Sequence, residues 1–434
     1  MDVTGREGAM KFVLASYGTR GDIEPCAAVG RELIRRGHDV CMAVPPDLIG
    51  FVEAAGPTAV PYGPDLRNVL DAHREFWTHF FRNFWRVQEL IEKRREVVEP
   101  FLLCWKDIVG TLTSLAEGAD LLFTGVNFED AAGNVAEYHD IPLATLHLFP
   151  LRSNGQFVPF LPARLGRSAM KAGEWLAWQN AKKVERVQRE ELRLPRATKP
   201  SPWRIAERRA LEIQAYDGVC FPGLATEWGG FSSNRPFVGA LTLDLPTDFD
   251  EEVAAWIASG TPPIFFGFGS LPVESADQTF AMISAACTQL GERALVCSAG
   301  SGFGDAPDAE NIKIVHVMNY SAAFPKCRAV VHHGGTGTTA AGLRAGVPTL
   351  ILSTDLDQTL WGRRVKELKV GTTRRFSSTT EKTLASDLRA ILDPQCAARA
   401  RELASRMTKP TESVTKTADL VEGLAASYRC RSRA

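Results

Sequence analysis

The chain has 434 residues, 45% of them apolar and 23% charged, with a formal net charge of −1. That length suits two domains of about 200 residues each, and the near-balance of charge excludes a global field for nucleic acid. No uninterrupted run of about 18 apolar residues occurs, so no membrane-spanning helix is expected. The nine cysteines form neither a CxxC pair nor a zinc-spaced cluster with histidine, which points to reduced thiols in a cytosolic protein.

Residues 1–9 are short and polar, without the apolar core of a signal peptide. The fold is expected to start at Met10. Phe12–Ser16 reads as a buried strand, Tyr17–Asp22 as a glycine-bearing turn, and Ile23–Arg36 as a helix with Pro25 tolerated in its first turn. Gly37 closes that helix and Asp39–Val44 is the second strand. This β-α-β opening predicts a parallel, doubly wound sheet. The turn lacks G-x-G-x-x-G, and no acid closes the second strand, which argues against a dinucleotide site. Asp22 suits a helix N-cap. Phe76–Trp85 carries six aromatic residues on a charge-speckled helical pattern. It reads either as a helix packing its rings into the core or as the lip of an apolar ligand pocket. Strands resume at Leu121–Thr124 and Leu143–His147. Pro150–Arg209 reads as irregular, then basic: Lys182–Arg209 holds ten Lys/Arg against four Asp/Glu, with Trp175 and Trp178 just upstream. That stretch is either a solvated helix pair or a basic, aromatic face for an anionic membrane surface.

Gly218–Phe221 and Arg235–Gly239 close the first domain, and the acidic Leu241–Glu252 suits an interdomain linker. Asp248–Asp250 and Asp355–Asp357 mimic a metal-binding DxD, the first within that linker. Pro263–Phe268 is a strand closing on Gly269-Ser270, a turn able to offer an N–H and a hydroxyl to phosphate. A helix (Asp277–Leu290) and strands (Ala294–Ser298, Ile312–Val317) follow. Arg328–Val331 is a short buried strand. After it come His332 and His333, the run Gly334-Gly335-Thr336-Gly337-Thr338, and an alanine-rich helix ending near Gly346. Glycines at a helix start let a ligand approach closely, and the helix dipole favours negative charge there. The physical reading is a diphosphate seat, to which His332, cationic or as a neutral donor, and the threonine hydroxyls add hydrogen bonds. The alternative is an ordinary strand-to-helix turn. The missing Lys-Ser/Thr pair excludes a P-loop. Thr349–Ser353 is another strand, with Asp355–Gln358 just past its carboxyl end, where open α/β sheets bind ligands. An acid and an amide there suit a polyhydroxylated ligand, and together with a diphosphate seat they describe a nucleotide-sugar site. The tail, Ala385–Tyr428, reads as helical.

HHGGTGTTAAGLRAGVPTLILSTDLDQTLWGRRVKELKVG resembles the C-terminal donor motif of the GT-B-fold, UDP-glycosyltransferase-like superfamily. It is closest to the bacterial enzymes that glycosylate glycopeptide antibiotics, sterols and actinobacterial glycopeptidolipids, and the resemblance covers nearly the whole chain from Met10. The resemblance implies an α/β fold of two doubly wound, Rossmann-like parallel-sheet domains facing each other across a cleft. Residues 10–240 would bind the acceptor and 241–405 the nucleotide sugar, and 406–434 would cross back onto the first domain. It implies an inverting glycosyltransferase that moves a hexose or 6-deoxyhexose from a UDP- or dTDP-sugar to a hydroxyl of a lipophilic acceptor. Asp22 falls where members hold the catalytic base. The position matching the base's acidic partner in plant members is Gly125, so the dyad is absent, as in the antibiotic-glycosylating branch. Thr19, Gly269, Ser270, Val317, Met318, His332, Gly334, Gly335, Thr336, Gly337, Thr338, Asp357 and Gln358 are implied to hold the donor. His73, Phe76, Trp77 and His147 are the candidates for the acceptor side. No metal and no cofactor are implied, the nucleotide sugar being a co-substrate, and the setting is cytoplasmic or peripheral at the inner membrane face. The alternatives are an epimerase or hydrolase of the same nucleotide sugar, and a non-catalytic nucleotide-sugar-binding regulator.

Overall fold

Apolar runs of four to six residues, bounded by glycine or polar turns, become strands buried on both faces when helices cover both sides of a parallel sheet. The computed structural model describes residues 8–66, 69, 72, 75, 76, 79, 86–158, 161–231, 233–269, 276–298 and 311–432. The candidates His73, Trp77 and Ser270 lie outside these described residues. The chain divides into two compact units. Unit 1 comprises Met1–Gly218, Pro222–Leu243 and Pro410–Ala434, and unit 2 comprises Val219–Phe221 and Asp244–Lys409.

In unit 1 the strands are β1 (Lys11–Ala15), β2 (Asp39–Val44), β3 (Thr58–Pro61), β4 (Leu121–Thr124), β5 (Leu143–His147) and β6 (Leu211–Gln214). They form one sheet in the order β3-β2-β1-β4-β5-β6, every pairing parallel. Unit 2 contains β7 (Ile264–Gly267), β8 (Ala294–Cys297), β9 (Ile312–Val315), β10 (Ala329–His332), β11 (Thr349–Ser353) and β12 (Gly371–Arg375). Their order is β12-β11-β10-β7-β8-β9, again all parallel. The doubly wound parallel plan expected from the sequence is therefore present twice. Each sheet reverses its winding once, between β1 and β4 and between β10 and β7. Such a switch point opens a crevice beyond the carboxyl ends of the strands.

Six helices matter for the site and its surroundings. They are α1 (Arg20–Arg35), α2 (Glu129–Tyr138), α3 (Ala163–Glu191), α4 (Thr336–Arg344), α5 (Leu356–Glu367) and α6 (Pro410–Ser432). α1 starts three residues earlier than its apolar pattern indicates. Thr19 and Asp22 form a capping box that draws Arg20–Asp22 into the first turn. Pro25 therefore lies inside the second turn, where it denies the Gly21 carbonyl its usual donor. The stretch read as irregular contains one 29-residue helix, α3.

The last helix, α6, belongs to unit 1. Ala418, Val421 and Ala425 are fully buried there, in one core with Phe12, Leu33 and Val40. Ion pairs at its rim join Arg36 to Asp419 at 2.7 Å and to Glu422, and Arg429 to Asp120 at 2.8 Å, and His38 Nε2 lies 2.5 Å from Glu422 Oε1. Burial outweighs partly exposed charge pairs in such a contact. Val421→Ala should lower the unfolding free energy of unit 1 by about 2 kcal/mol, whereas Glu422→Gln should cost under about 1 kcal/mol. Chemical denaturation of the two variants checks this, and the reverse ranking would show that the rim charges hold the helix.

Candidate active site

At the switch point of unit 2, His332 ends β10 beside Gly267, the last residue of β7. The next turn is set by one bond: the Gly334 N–H donates to His332 Nδ1 at 3.0 Å. Nδ1 is thus an acceptor, and a neutral ring must carry its proton on Nε2. Burial and the neighbouring His333 hold the His332 pKa well below the usual histidine value, so the ring is neutral. This removes the cationic option considered from the sequence. The side chain is wholly buried, and Nε2 has no partner among the described residues. An orphaned buried donor costs about 1–3 kcal/mol, which an oxygen of a bound ligand would recover.

The glycines make the turn possible. Gly334 has φ +104, and a Cβ there would sit 2.8 Å from Ile351 Cγ2 and 3.1 Å from Gln358 Cβ. The turn is thus backed directly on β11 and α5. The ring of His333 lies between two more glycines. A Cβ on Gly269 would approach it to 2.9 Å, and one on Gly335 to 2.6 Å. His332, His333, Gly269, Gly334 and Gly335 therefore come together at one place. Gly335 caps α4, and Gly335, Thr336, Gly337 and Thr338 remain partly exposed. The Thr336 hydroxyl accepts from Trp361 Nε1 at 3.0 Å. Trp361 was not singled out in the sequence, because a buried tryptophan on a helix carries no local signature, and His333 was noted there only as the neighbour of His332, without a role. Burial brings the His333 pKa down to about 4.

The structure alters the part expected of Gln358. Asp355 is the N-cap of α5 and Gln358 its third residue, another capping box. Gln358 Oε1 accepts from Thr354 N at 2.8 Å, Thr354 Oγ1 at 3.0 Å and Asp355 N at 3.3 Å, while Nε2 donates to Asp355 Oδ2 at 3.2 Å. Its buried amide thus holds the helix start rather than standing open to a ligand. The neighbouring Asp355 emerges instead: burial, then the charge of Asp357, push its carboxyl up to about 7. Asp357 itself is partly exposed. Farther along the edge, Met318 is buried in the core with Phe265 and Phe324, and Val317 is half-buried. The next amide, Asn319 N–H, donates to Asp250 Oδ1 at 2.8 Å, and Asp250 also binds Thr247 N at 2.8 Å. Asp250 thus holds backbone, against a DxD role.

At the switch point of unit 1, Asp22 Oδ2 accepts from Thr19 N at 2.8 Å and Thr19 Oγ1 at 3.1 Å. Asp22 is therefore the third residue of α1, which closes the capping box, and not the N-cap, which is Thr19. Gly18, at φ +135, has no room for a Cβ against the Asp22 carboxylate. Gly125 donates its N–H to Ala15 O at 2.9 Å, and a Cβ there would lie 2.8 Å from Ser16 Oγ. An acidic side chain at 125 would displace Ser16, whose hydroxyl donates to Asp22 O at 3.0 Å.

His147, a candidate for the acceptor side, is wholly buried. Its Nε2 lies 3.2 Å from Glu129 Oε1 and its Nδ1 3.2 Å from Gln214 Nε2. Glu129 and Glu212 in turn bind Arg152. The charges offset one another within the unit, and His147 is part of that internal network. Phe76 is half-buried. An aromatic group missed in the sequence gathers elsewhere at the same sheet edge. Phe128, at the unusual φ of 65, lies 5.3 Å from Tyr17, 5.4 Å from Tyr62, 5.5 Å from Phe101 and 6.2 Å from Trp105. Tyr62 Oη and Trp105 Nε1 are buried without partners among the described residues. Those five rings are scattered over more than 100 positions, which hides them from any local pattern.

Family models match two stretches. Residues 12–117 match the glycosyltransferase family 28 N-terminal domain, and residues 271–424 match the erythromycin biosynthesis protein CIII-like C-terminal domain. The chain is 57% identical over 422 residues to an uncharacterized glycosyltransferase of Mycobacterium tuberculosis, covering 97% of this chain and 100% of that protein. It is 28% identical over 419 residues to a sterol 3-beta-glucosyltransferase of Arabidopsis thaliana, covering 91% of this chain and 65% of that one. Among solved structures, the glycosyltransferase VinC in complex with DTDP has a TM-score of 0.63 at 19% identity, covering 95% of this chain and all of that one.

His333 and Asp355 give unit 2 opposing pH dependences. A histidine brought down to about 4 has its full stabilising share above about pH 6.5 and loses it as pH falls through 4. An aspartate raised to about 7 has its share below about pH 4 and loses it as pH rises through 7. Relative to the parent, Asp355→Asn should steepen the rise of unfolding free energy with pH, by up to about 1.4 kcal/mol per unit between about pH 4.5 and 6.5. His333→Asn should change the slope by a similar amount in the opposite sense. Denaturation curves at three pH values test both, and unchanged slopes would show that neither group is perturbed.

Proposed function

Because this chain belongs to the GT-B-fold glycosyltransferases, we propose that it moves a hexose or 6-deoxyhexose from a UDP- or dTDP-sugar to a hydroxyl of a lipophilic acceptor, with inversion. One observation carries the donor half: a neutral, buried His332 whose Nε2–H has no partner among the described residues, beside the amides that open α4. Those donors suit the oxygens of a diphosphate, on which negative charge grows as the bond to the sugar breaks. VinC, solved with DTDP, supports a thymidine or uridine diphosphate as the leaving group. Asp357 is the residue for the sugar hydroxyls, with Gln358 holding the helix that presents it.

The acceptor half is assigned to unit 1. The acceptor oxygen attacks the anomeric carbon, its proton passes to Asp22, and the electron pair of the breaking bond leaves on the nucleoside diphosphate. Thr19 anchors the Asp22 carboxylate, and the rings around Phe128 offer an apolar surface with two donors, Tyr62 Oη and Trp105 Nε1, that have no partner among the described residues. The sterol glucosyltransferase relative supports a lipophilic acceptor. The nine free cysteines suit a reducing, cytoplasmic setting. Among the described residues no helix is long and apolar enough to cross a membrane.

The decisive variant is Asp22→Asn, which keeps an oxygen for the Thr19 donors but takes no proton at neutral pH. Transfer should fall by about 10²–10⁴ in kcat, while the thermal shift produced by UDP or dTDP stays as in the parent. Near-full turnover with a lower melting temperature would leave Asp22 as a helix cap only. A nucleotide sugar consumed equally fast with no acceptor present would indicate a hydrolase or epimerase instead. Transfer should also persist in excess chelator, since amides and an imidazole N–H take the part a metal plays elsewhere. Loss in chelator with rescue by Mg²⁺ or Mn²⁺ would overturn that donor site.

A further inference from the structure

The longest helix, α3, presents an outer face that nothing described here covers. Leu165, Leu176 and Val187 recur every 11 residues, three helical turns, so they lie along one line. They are 56%, 57% and 48% exposed, and Ala169, Ala172 and Trp175, at 45%, widen the ribbon. Scattered exposed leucines need no explanation, but an aligned row on one helix does.

A second row runs beside the first. Arg164, Lys171 and Lys182 follow at spacings of 7 and 11, Lys183 stands on the apolar line itself between Leu176 and Val187, and all four are exposed. Among the described residues none of the four has an acid within ion-pair distance; Lys182 instead donates to Gln179 and lies 5.9 Å from the Trp178 ring. The acids of this stretch turn the other way. Glu174 accepts from Trp203 Nε1 at 2.6 Å, and the buried Glu185 accepts from Trp178 Nε1 at 2.8 Å and binds Arg204. The basic segment that drew notice in the sequence is different downstream. There Arg189 pairs with Glu137 at 2.9 Å, Lys199 with Glu207 at 2.6 Å and Arg196 with Glu190 at 3.5 Å. Arg193 and Arg209, also downstream, are exposed with no ion pair among the described residues, but they lie beyond α3; the unpaired cations beside the apolar row are the four upstream of Arg186.

We propose that the outer face of α3, from Leu165 to Val187, is a membrane-contact surface that lies in the interface of an anionic bilayer. The leucines, Val187 and Trp175 enter the boundary between headgroups and acyl chains, and the four cations meet lipid phosphates. Charge complementarity selects this occupant, because a row of unpaired cations flanking an acid-free apolar ribbon matches a negative surface. The inference is independent of the transfer reaction, since it requires neither donor nor acceptor.

The test is flotation of the full chain with vesicles of phosphatidylglycerol and phosphatidylcholine, against vesicles of phosphatidylcholine alone. The parent should float with the anionic vesicles only. Lys171→Ala, Lys182→Ala and Lys183→Ala should each weaken partition about 5-fold, and together about 100-fold. Leu165→Ser combined with Leu176→Ser should abolish flotation with the charge intact, and because both sites are exposed the melting temperature should hold. Three results would overturn the proposal: no flotation of the parent with anionic vesicles, flotation that all variants retain, or a doubling of mass by light scattering that the leucine variants abolish while no vesicle binds. The last would make the face a contact between copies of this chain.

Discussion

The bond from the Gly334 amide to His332 Nδ1 is the constraint on which the donor end of unit 2 depends. It is short-range, two residues apart, and it requires the left-handed backbone that only glycine adopts without strain. In making it, the chain fixes the tautomer of a buried ring, leaves one N–H unsatisfied among the described residues, and lays the turn flat against Gln358. Electrostatic preorganisation in the sense of fixed dipoles facing developing charge follows from that geometry alone. A cationic histidine in the same place would hold product and transition state alike, and it would have to be desolvated first. A neutral donor avoids that cost.

The two units reach similar ends by the same local means. Each sheet has one switch point, each switch point is followed by a helix, and in both units a capping box sets residues proposed for the site. In unit 1 the box is Thr19 with Asp22, in unit 2 Asp355 with Gln358. Capping and chemistry compete for the same polar atoms, and the two boxes resolve that competition differently. In unit 1 the N–H and the hydroxyl of Thr19 both donate to one carboxylate oxygen of Asp22. In unit 2 the amide of Gln358 is taken up by Thr354 and Asp355, and the Asp355 carboxylate accepts from it in return.

Much of this fold is legible in the order of the residues, for physical reasons that also mark where reading fails. Strands β2, β4, β5 and β11 coincide with apolar runs because burial on both faces demands continuous apolarity. β6, LEIQ, escapes that rule: Glu212 and Gln214 are fully buried, but Arg152, Arg235 and Tyr216 satisfy them from elsewhere in the chain. β12, GTTRR, is an edge strand with little burial and so has no apolar signature. The glycine-histidine turn is legible because backbone conformation and residue type are tied locally. The neutral charge of the buried His332, the protonation of Asp355 and the gathering of rings around Phe128 are not, since each depends on neighbours brought together by tertiary folding. Charge runs mislead for the same reason: whether a cation is free depends on acids far away in sequence.

The return of α6 to unit 1 bears on how the protein is made. Apart from Val219–Phe221, unit 2 is one run of consecutive chain, residues 244–409, whereas the core of unit 1 contains Ala418, Val421 and Ala425. During synthesis the N-terminal residues leave the ribosome first, yet their apolar face between α1 and β1 has no cover until the last segment emerges. The later-made unit is thus able to finish folding before the earlier one. Premature termination anywhere after residue 409 but before Val421 would release a chain with one finished unit and one exposed core, a substrate for chaperones and proteases rather than a half-active enzyme.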